Sequence, residues 1–132
     1  MKLKYFLTLM IMALTVAFAQ AADNDKDVYR LDETSFDFGT IKASDGRVEH
    51  TYTVTNISDQ PIVITTVTNG GCGCTKPKWT KAPIAPGKTG EITINFNPQG
   101  RKGEFNREVR ARIETATQKH TAKIRFSGVI VP

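Results

Sequence analysis

A two-residue alternation of apolar and polar side chains recurs along most of the chain and limits the folds that it can adopt. The run 48–55 places apolar residues and His50 on one face and mainly threonines on the other. Similar alternation returns at 92–96, 105–113 and 122–131. Successive side chains of a β-strand point to opposite faces, so each run predicts a strand with one buried face. A helical period of 3.6 residues is sustained nowhere, which excludes a helical bundle and a coiled coil.

The residues that follow position 21 are rich in β-branched side chains. Residues 22–132 hold ten Ile, eight Val and fifteen Thr, but no Met and a single Leu, Leu31. These side chains are stiff and pack well on a pleated surface, so they favour strands. Turn sequences at 56–61 and 85–88 separate the alternating runs. We therefore predict an all-β fold, a two-sheet antiparallel β-sandwich of about seven strands.

The first 21 residues have the pattern of an export signal. Lys2 and Lys4 precede a mainly apolar run at 6–18, and small-residue cleavage motifs end at Ala19 and Ala21. The run is too short to span a bilayer, which needs about 20 apolar residues. We predict a signal peptide over residues 1–21, cleaved after one of these two alanines. The mature chain is then periplasmic or secreted and has no membrane span.

Charge is unevenly distributed along the mature chain. Residues 22–60 carry nine acidic and four basic residues, whereas residues 61–132 carry four acidic and twelve basic residues. The basic residues stand singly, without the interleaved aromatic side chains that stack on bases, so we predict no nucleic-acid partner. The acidic stretch 22–33 predicts a flexible lead-in. Residues 34–132 have the length of one sandwich domain.

The only two cysteines of the chain, Cys72 and Cys74, flank Gly73. In an exported protein the first expectation for such a pair is a disulfide. Residues two apart in an extended strand have Cα atoms about 7 Å apart, at the upper limit for a bridge. A disulfide here therefore requires a bend at Gly73. Such a bridge closes a very short ring and adds little stability through the unfolded state.

Three interpretations of the cysteine pair stay open. The first is a local disulfide, or a packed pair of thiols, without any chemistry. The second is a soft-metal site, because thiolates of Cys72 and Cys74 suit copper(I), or zinc with ligands from outside. The third is thiol–disulfide exchange. His50 and His120 could join a metal site only through folding, and the apolar face around His50 favours a core histidine instead.

The loop from Asn69 to Trp79 surrounds the cysteine pair and is the candidate binding surface. Its candidate contact residues are Asn69, Gly73, Thr75 and Trp79. For Trp79, the only tryptophan, we favour a core anchor over an exposed binding aromatic, because two nearby prolines indicate a loop that needs pinning.

Motifs of the common enzyme classes are absent from the sequence. There is no G-x-S-x-G, no H-E-x-x-H and no phosphate-binding glycine loop. The acidic residues concentrate in the predicted lead-in, which offers no rigid carboxylate pair. Asn56 begins a glycosylation sequon, but the same residues predict an Asx turn, which we favour. We predict no enzymatic activity.

Five short segments, taken in order, resemble the exported bacterial domain-of-unknown-function family 1573. They are Phe-Asp-Phe-Gly-Thr-Ile at 36–41, Thr-Val-Thr-Asn at 53–56, Cys-Gly-Cys-Thr at 72–75, Ile-Ala-Pro-Gly at 84–87 and Phe-Ser-Gly at 126–128. The resemblance covers residues 34–132. That family is frequent in Bacteroidetes and is similar to the sandwiches of major sperm protein and of a domain found in cilia proteins. The resemblance implies an immunoglobulin-like fold and a family cysteine pair at Cys72 and Cys74, without an established activity or ligand.

We therefore expect an exported immunoglobulin-like module that binds an unknown protein or a cell-envelope component without catalysis. An exposed strand edge offers a further place for a partner strand. The alternative function is periplasmic thiol-redox or copper handling by Cys72 and Cys74. No cofactor is expected apart from copper or zinc at this pair.

Overall fold

Eight strands in two packed sheets make up the part of the chain that the structure, a computed structural model, describes, which is residues 28–132. The predicted signal peptide and residues 22–27 of the predicted lead-in lie outside the described residues. No helix in the described part is long and apolar enough to cross a membrane. The elements are β1 (Tyr29–Leu31), β2 (Ser35–Lys42), a 3-10 helix (Ala43–Asp45), β3 (Val48–Asn56), β4 (Val63–Val67), β5 (Thr75–Trp79), β6 (Thr89–Phe96), β7 (Gly103–Glu114) and β8 (Lys119–Val131).

The order of the strands confirms the predicted two-sheet sandwich. The first sheet has the order β1-β3-β6-β5 and the second has the order β2-β8-β7-β4. All neighbours are antiparallel except β2 and β8, which run parallel. At that pair the sandwich differs from the fully antiparallel arrangement predicted, and it has eight strands rather than about seven. Side-chain alternation indicates the buried face of a strand, but it carries no information on the direction of the neighbouring strand.

The first strand lies inside the segment that the sequence predicts to be a flexible lead-in. β1 pairs antiparallel with β3, Val28 before it is buried, and an oxygen of the Asp32 carboxylate accepts a hydrogen bond from the Thr53 N–H at 2.8 Å. Residues 28–32 therefore contact the first sheet, although the sequence predicts that the domain starts at residue 34. A strand of three residues is too short to show an alternation of side chains. The prediction of a flexible lead-in therefore depended on the acidic composition of residues 22–33.

The core lies between the two sheets and consists of the apolar faces that the alternation predicts. Three phenylalanine rings join the sheets, with the Phe96 ring centre 4.6 Å from that of Phe105 and 5.6 Å from that of Phe126. Burial of these apolar faces is the main source of stability for such a fold. The fully buried apolar side chains include Tyr52, Val54, Ile62, Ile92, Ile94, Phe96, Val109, Ile113 and Ile124.

His50 is held by neighbours on three sides. Its ring stacks on Phe36, with 3.5 Å between ring centres, and meets Tyr52 edge to face. Its Nε2 contacts the Glu33 carboxylate. The predicted structural role of His50 agrees with these contacts. Neither His50 nor His120, whose Nε2 lies 3.0 Å from the Gln118 side-chain oxygen, has a recorded contact with a cysteine within residues 28–132.

Candidate functional site

The loop between β4 and β5 carries the cysteine pair and is shaped by two glycines. Gly70 and Gly71 have φ values of +69° and +80°, which L side chains rarely adopt. A methyl group on Gly70 would lie 2.7 Å from the Glu108 carbonyl oxygen, so the loop passes close to the backbone of β7. The Asn69 side-chain oxygen accepts a hydrogen bond from the Gly71 N–H at 2.9 Å. These contacts hold the approach to the cysteines in one conformation.

Cys72 and Cys74 form a disulfide in this loop. Their Cα atoms are 5.2 Å apart, shorter than the spacing of an extended strand and within the range that a bridge requires. Gly73 lies in a turn, which is the bend that the sequence demands of a disulfide here. A second hydrogen bond closes the loop, from the Thr75 N–H to the Cys72 carbonyl oxygen at 3.2 Å.

A second loop, between β6 and β7, brings a positive charge to the disulfide. The guanidinium Nη2 of Arg101 lies 3.1 Å from the sulfur of Cys72. The backbone N–H of Cys74 lies 3.2 Å from the same sulfur. The two loops are joined where the Asn97 N–H donates to the Cys74 carbonyl oxygen at 2.8 Å. Arg101 was not among the residues predicted from the sequence, and its spacing of 29 residues from Cys72 carries no local signal.

The predicted binding residues do not all surround the cysteines. Asn69 and Gly73 belong to the cysteine loop. Thr75 begins β5 and is only 2% exposed. Trp79 lies at the other end of β5 and packs against the core, with the Lys81 ammonium 5.2 Å from the centre of its ring. The structure thus places three of the four candidates, Asn69, Gly73 and Thr75, at the disulfide and Trp79 away from it. The favoured anchor role of Trp79 agrees with its packing.

The metal hypothesis for Cys72 and Cys74 stays a prediction. Within residues 28–132 no group of three or more His, Cys, Asp or Glu side chains is arranged to hold a metal ion. Copper(I) or zinc binds thiolates, so this pair could act as ligands only after the disulfide is reduced.

A second candidate surface is found by comparing the strand edges of the two sheets. β1 has only three residues, and β5 contains Pro77 between two lysines. The pairing registers of β2 and β4 are interrupted by irregularities. Short length, proline, lysine and bulges are the usual features that protect an edge from added strands.

One stretch of β8 is less protected, because β2 covers only part of it. β2 begins to pair with β8 at Arg125, whose N–H donates to the Thr34 carbonyl oxygen at 2.8 Å. β8 begins six residues earlier, at Lys119, and pairs with β7 on its other side. Since hydrogen-bonding directions alternate along a strand, the peptide groups of Thr121 and Lys123 face the uncovered side. Within residues 28–132, these peptide groups have no backbone partner on that side.

Tyr52 marks the end of this uncovered stretch. Its hydroxyl donates a hydrogen bond to the Arg125 carbonyl oxygen at 2.9 Å. Burial raises the pKa of the Tyr52 hydroxyl, and the carboxylates of Glu33 and Asp32 raise it further, so the group stays protonated as a donor. The Arg125 carbonyl is therefore occupied, and the uncovered edge runs from Lys119 to Ile124.

A groove runs beside the uncovered edge, and we call it the lateral groove. It has a volume of about 390 Å³ and lies between β1 of one sheet and β8 of the other. Ile57, 44% exposed, is one of the two large apolar side chains that the described residues leave exposed, and it lies in this groove. Sequence alternation did not predict the groove, which depends on where β2 starts. The residues lining it are Tyr29, Arg30, Leu31, Thr34, Ile57, Ala122 and Lys123.

The residues that form the two sheets are nearly the same as those matched by the model of a known protein family. The family model described as a protein of unknown function, DUF1573, matches residues 29–130, from the first residue of β1 to the last residue but one of β8. The chain belongs to the DUF1573 family. The resemblance of the five short segments is thereby confirmed. None of the curated proteins matches the chain.

Solved structures share the fold of this DUF1573 protein. It is similar to the VesB protease of Vibrio cholerae, with a TM-score of 0.66, 15% identity, and coverage of 78% of this chain but 32% of that one. PapD-like domain 7 of human CEP192 has a TM-score of 0.60 and 12% identity, and the match covers 79% of this chain and 85% of that one. WR4, a major sperm protein family member of Caenorhabditis elegans, has a TM-score of 0.51 and 13% identity, and the match covers 80% of this chain and 100% of that one. These likenesses confirm the immunoglobulin-like, major-sperm-protein-like sandwich and, at such identities, nothing beyond the fold.

Proposed function

We propose that this protein is a non-catalytic binding module of the cell envelope that accepts an extended segment of a partner protein as an added strand. The observation that carries the proposal is the uncovered edge of β8 from Lys119 to Ile124 beside the lateral groove. Main-chain hydrogen bonds supply affinity in strand addition, and pockets beside the edge select the side chains of the added strand. The predicted export signal would place the module outside the cytoplasm.

The lateral groove matches the needs of an added strand. An added strand that lies in line with β2, beside the uncovered part of β8, would form hydrogen bonds with the peptide groups of Thr121 and Lys123. Alternate side chains of that strand would point into the groove, where Leu31 and Ile57 provide apolar contact. We therefore infer a partner segment with an apolar residue at this position.

The charge of the edge favours an acidic partner and disfavours a second copy. Lys123 and Arg30 line the groove, and Lys119 is exposed at the start of β8. Two copies paired through this edge would bring these like charges together, which destabilises a paired edge. An extended segment with acidic side chains beside its apolar residue would complement them.

The first experiment locates the partner by cross-linking in the producing cell. A photo-reactive amino acid replaces Lys123, and in a matched control it replaces Lys78, an exposed lysine of β5 in the other sheet. We expect a discrete protein adduct from position 123 and none from position 78. Mass spectrometry of the adduct then identifies the cross-linked segment, which is synthesised as a peptide. Absence of an adduct at position 123, or equal adducts at both positions, contradicts the proposal.

The second experiment tests whether the main chain of β8 makes the contact. Thr121→Pro removes an N–H that faces the uncovered side and leaves the pairing of β8 with β7 in place. We expect calorimetric affinity for the peptide to fall about tenfold or more, since a bond is lost and the ring blocks approach. Thr121→Ala keeps the N–H and should bind within about twofold of the unmodified protein. Equal affinity of the two variants would show that binding does not use the strand edge.

A further inference from the structure

The Cys72–Cys74 disulfide contributes little to holding its own loop. A bridge across one intervening residue restricts few conformations of the unfolded chain, so its entropic effect is small. The loop has hydrogen bonds that do not involve sulfur, from the Thr75 N–H to the Cys72 carbonyl oxygen and from the Asn97 N–H to the Cys74 carbonyl oxygen. The loop is therefore expected to keep its shape when the disulfide opens.

The two sulfur atoms have different surroundings. The Cys72 sulfur faces two donors, the Arg101 guanidinium at 3.1 Å and the Cys74 N–H at 3.2 Å. Cys74 packs against the hydrophobic core, and its sulfur has the Thr75 hydroxyl 3.8 Å away. Both residues are half-buried, but only Cys72 meets a full positive charge.

These contacts favour the reduced state at Cys72. A sulfur in a disulfide is a weak hydrogen-bond acceptor, whereas a thiolate carries a full charge and accepts strongly. A neighbouring arginine and a backbone N–H are the surroundings that stabilise a cysteine thiolate. Within residues 28–132, the Arg101 guanidinium makes its side-chain hydrogen bond with the sulfur of Cys72 and with no other group. The hydrogen bond from Arg101 to the Cys72 sulfur is thus stronger after the disulfide is reduced than before.

We propose that the Cys72–Cys74 disulfide is an exchange site that oxidises dithiols of exported proteins, with Cys72 as the exchanging sulfur and Arg101 as its positioning residue. The proposal does not depend on strand addition at β8. Its partner is identified by chemistry, as a protein with two neighbouring thiols.

The exchange balances as a transfer of two electrons. A partner thiolate attacks the Cys72 sulfur and forms a mixed disulfide, while the bond to Cys74 breaks and the Cys74 sulfur takes the electron pair and a proton. The second thiolate of the partner then attacks the partner sulfur of the mixed disulfide. Cys72 leaves as a thiolate, stabilised by Arg101. The partner dithiol has become a disulfide, and the cysteine pair has been reduced.

The first test measures the equilibrium of the pair with reduced glutathione as the probe. The full mature chain is equilibrated with glutathione buffers, quenched with acid and alkylated, and intact mass gives the reduced fraction. We expect the pair to be reduced by millimolar glutathione. Arg101→Gln should shift the equilibrium constant toward the disulfide by about two- to fivefold, the size expected for an exposed charge. Lys102→Gln removes the same charge at the next residue and should leave the constant unchanged.

The second test assigns the exchanging sulfur. Cys74→Ser leaves Cys72 alone beside Arg101, and Cys72→Ser leaves Cys74 alone against the core. We expect the first variant to form an adduct with oxidised glutathione about tenfold faster than the second, because the Arg101 guanidinium stabilises the attacking thiolate of Cys72. Thermal unfolding of both variants, recorded by circular dichroism, shows that each is folded.

Three results would overturn the proposal. They are a pair that stays oxidised in millimolar glutathione, equal equilibrium shifts in Arg101→Gln and Lys102→Gln, and an adduct that forms as fast on Cys74 as on Cys72. Failure of the cross-linking at β8, in contrast, would leave these measurements unaffected.

Discussion

Asn56→Ala is expected to lower the free energy of unfolding by about 2–4 kcal/mol, because it removes a buried side chain that makes four hydrogen bonds. The Asn56 amide N–H groups donate to the carbonyl oxygens of Gln60 at 2.7 Å and Ile84 at 2.9 Å. Its side-chain oxygen accepts from the N–H and the hydroxyl of Ser58 at 2.9 Å and 2.7 Å. Asn56 itself is fully buried. Alanine leaves these partners short of a bond and opens a cavity.

Urea unfolding at neutral pH measures this loss, and a matched substitution controls for it. Asn95→Ala removes an asparagine side chain that makes two hydrogen bonds, to Arg47 and Glu49 at the surface. Water replaces those bonds, so we expect a loss below about 1 kcal/mol. Losses of equal size in the two variants would show that the Asn56 network does not support the turn.

The same contacts bear on the sequon that begins at Asn56. The predicted Asx turn is confirmed by the bonds from Ser58 to the Asn56 side-chain oxygen. An amide that is fully buried and donates two hydrogen bonds is not accessible to a glycan in the folded protein.

Gly128→Ala is expected to destabilise the protein by about 2–4 kcal/mol through overpacking. A methyl group on Gly128 would lie 2.8 Å from the Gly39 carbonyl oxygen and 2.8 Å from two carbons of the Phe105 ring. Gly39 belongs to the irregularity of β2, with φ at +71°, and Phe105 packs on Phe96. Both a backbone segment and a core ring would have to move.

The control for Gly128→Ala is the same substitution at a glycine with open space. A methyl group on Gly73 meets nothing within 4 Å, so Gly73→Ala should change the unfolding free energy by about 0.5 kcal/mol or less. A double variant that adds Phe105→Leu to Gly128→Ala should recover part of the loss, because a smaller side chain relieves one of the two contacts. A Gly128→Ala protein as stable as the Gly73→Ala protein would refute close packing at this position.

The candidate site could be predicted from the sequence only in part. The pair Cys72 and Cys74 and the bend at Gly73 follow from neighbouring residues, and the structure brings them together as a disulfide. Arg101 comes from a loop on another strand pair, 29 residues away, and nothing near it in the sequence points to Cys72. Trp79, close to the pair in sequence, lies at the far end of a five-residue strand. Proximity along the chain therefore put Trp79 in the candidate loop, although the structure does not bring it to the disulfide, and it offered no indication of Arg101.

Local sequence patterns were sufficient to predict the all-β sandwich, the faces of its strands that become buried, and the turn at Asn56. These features depend on local geometry, because side chains alternate along a strand and an asparagine bonds to its near neighbours. Two features depend instead on the packed structure: β2 runs parallel to β8, and it starts at Ser35. Within residues 28–132, that start leaves Lys119–Ile124 uncovered. Backbone hydrogen-bonding groups are the same at nearly every residue, so the choice of neighbour and its extent emerge only when distant segments pack together.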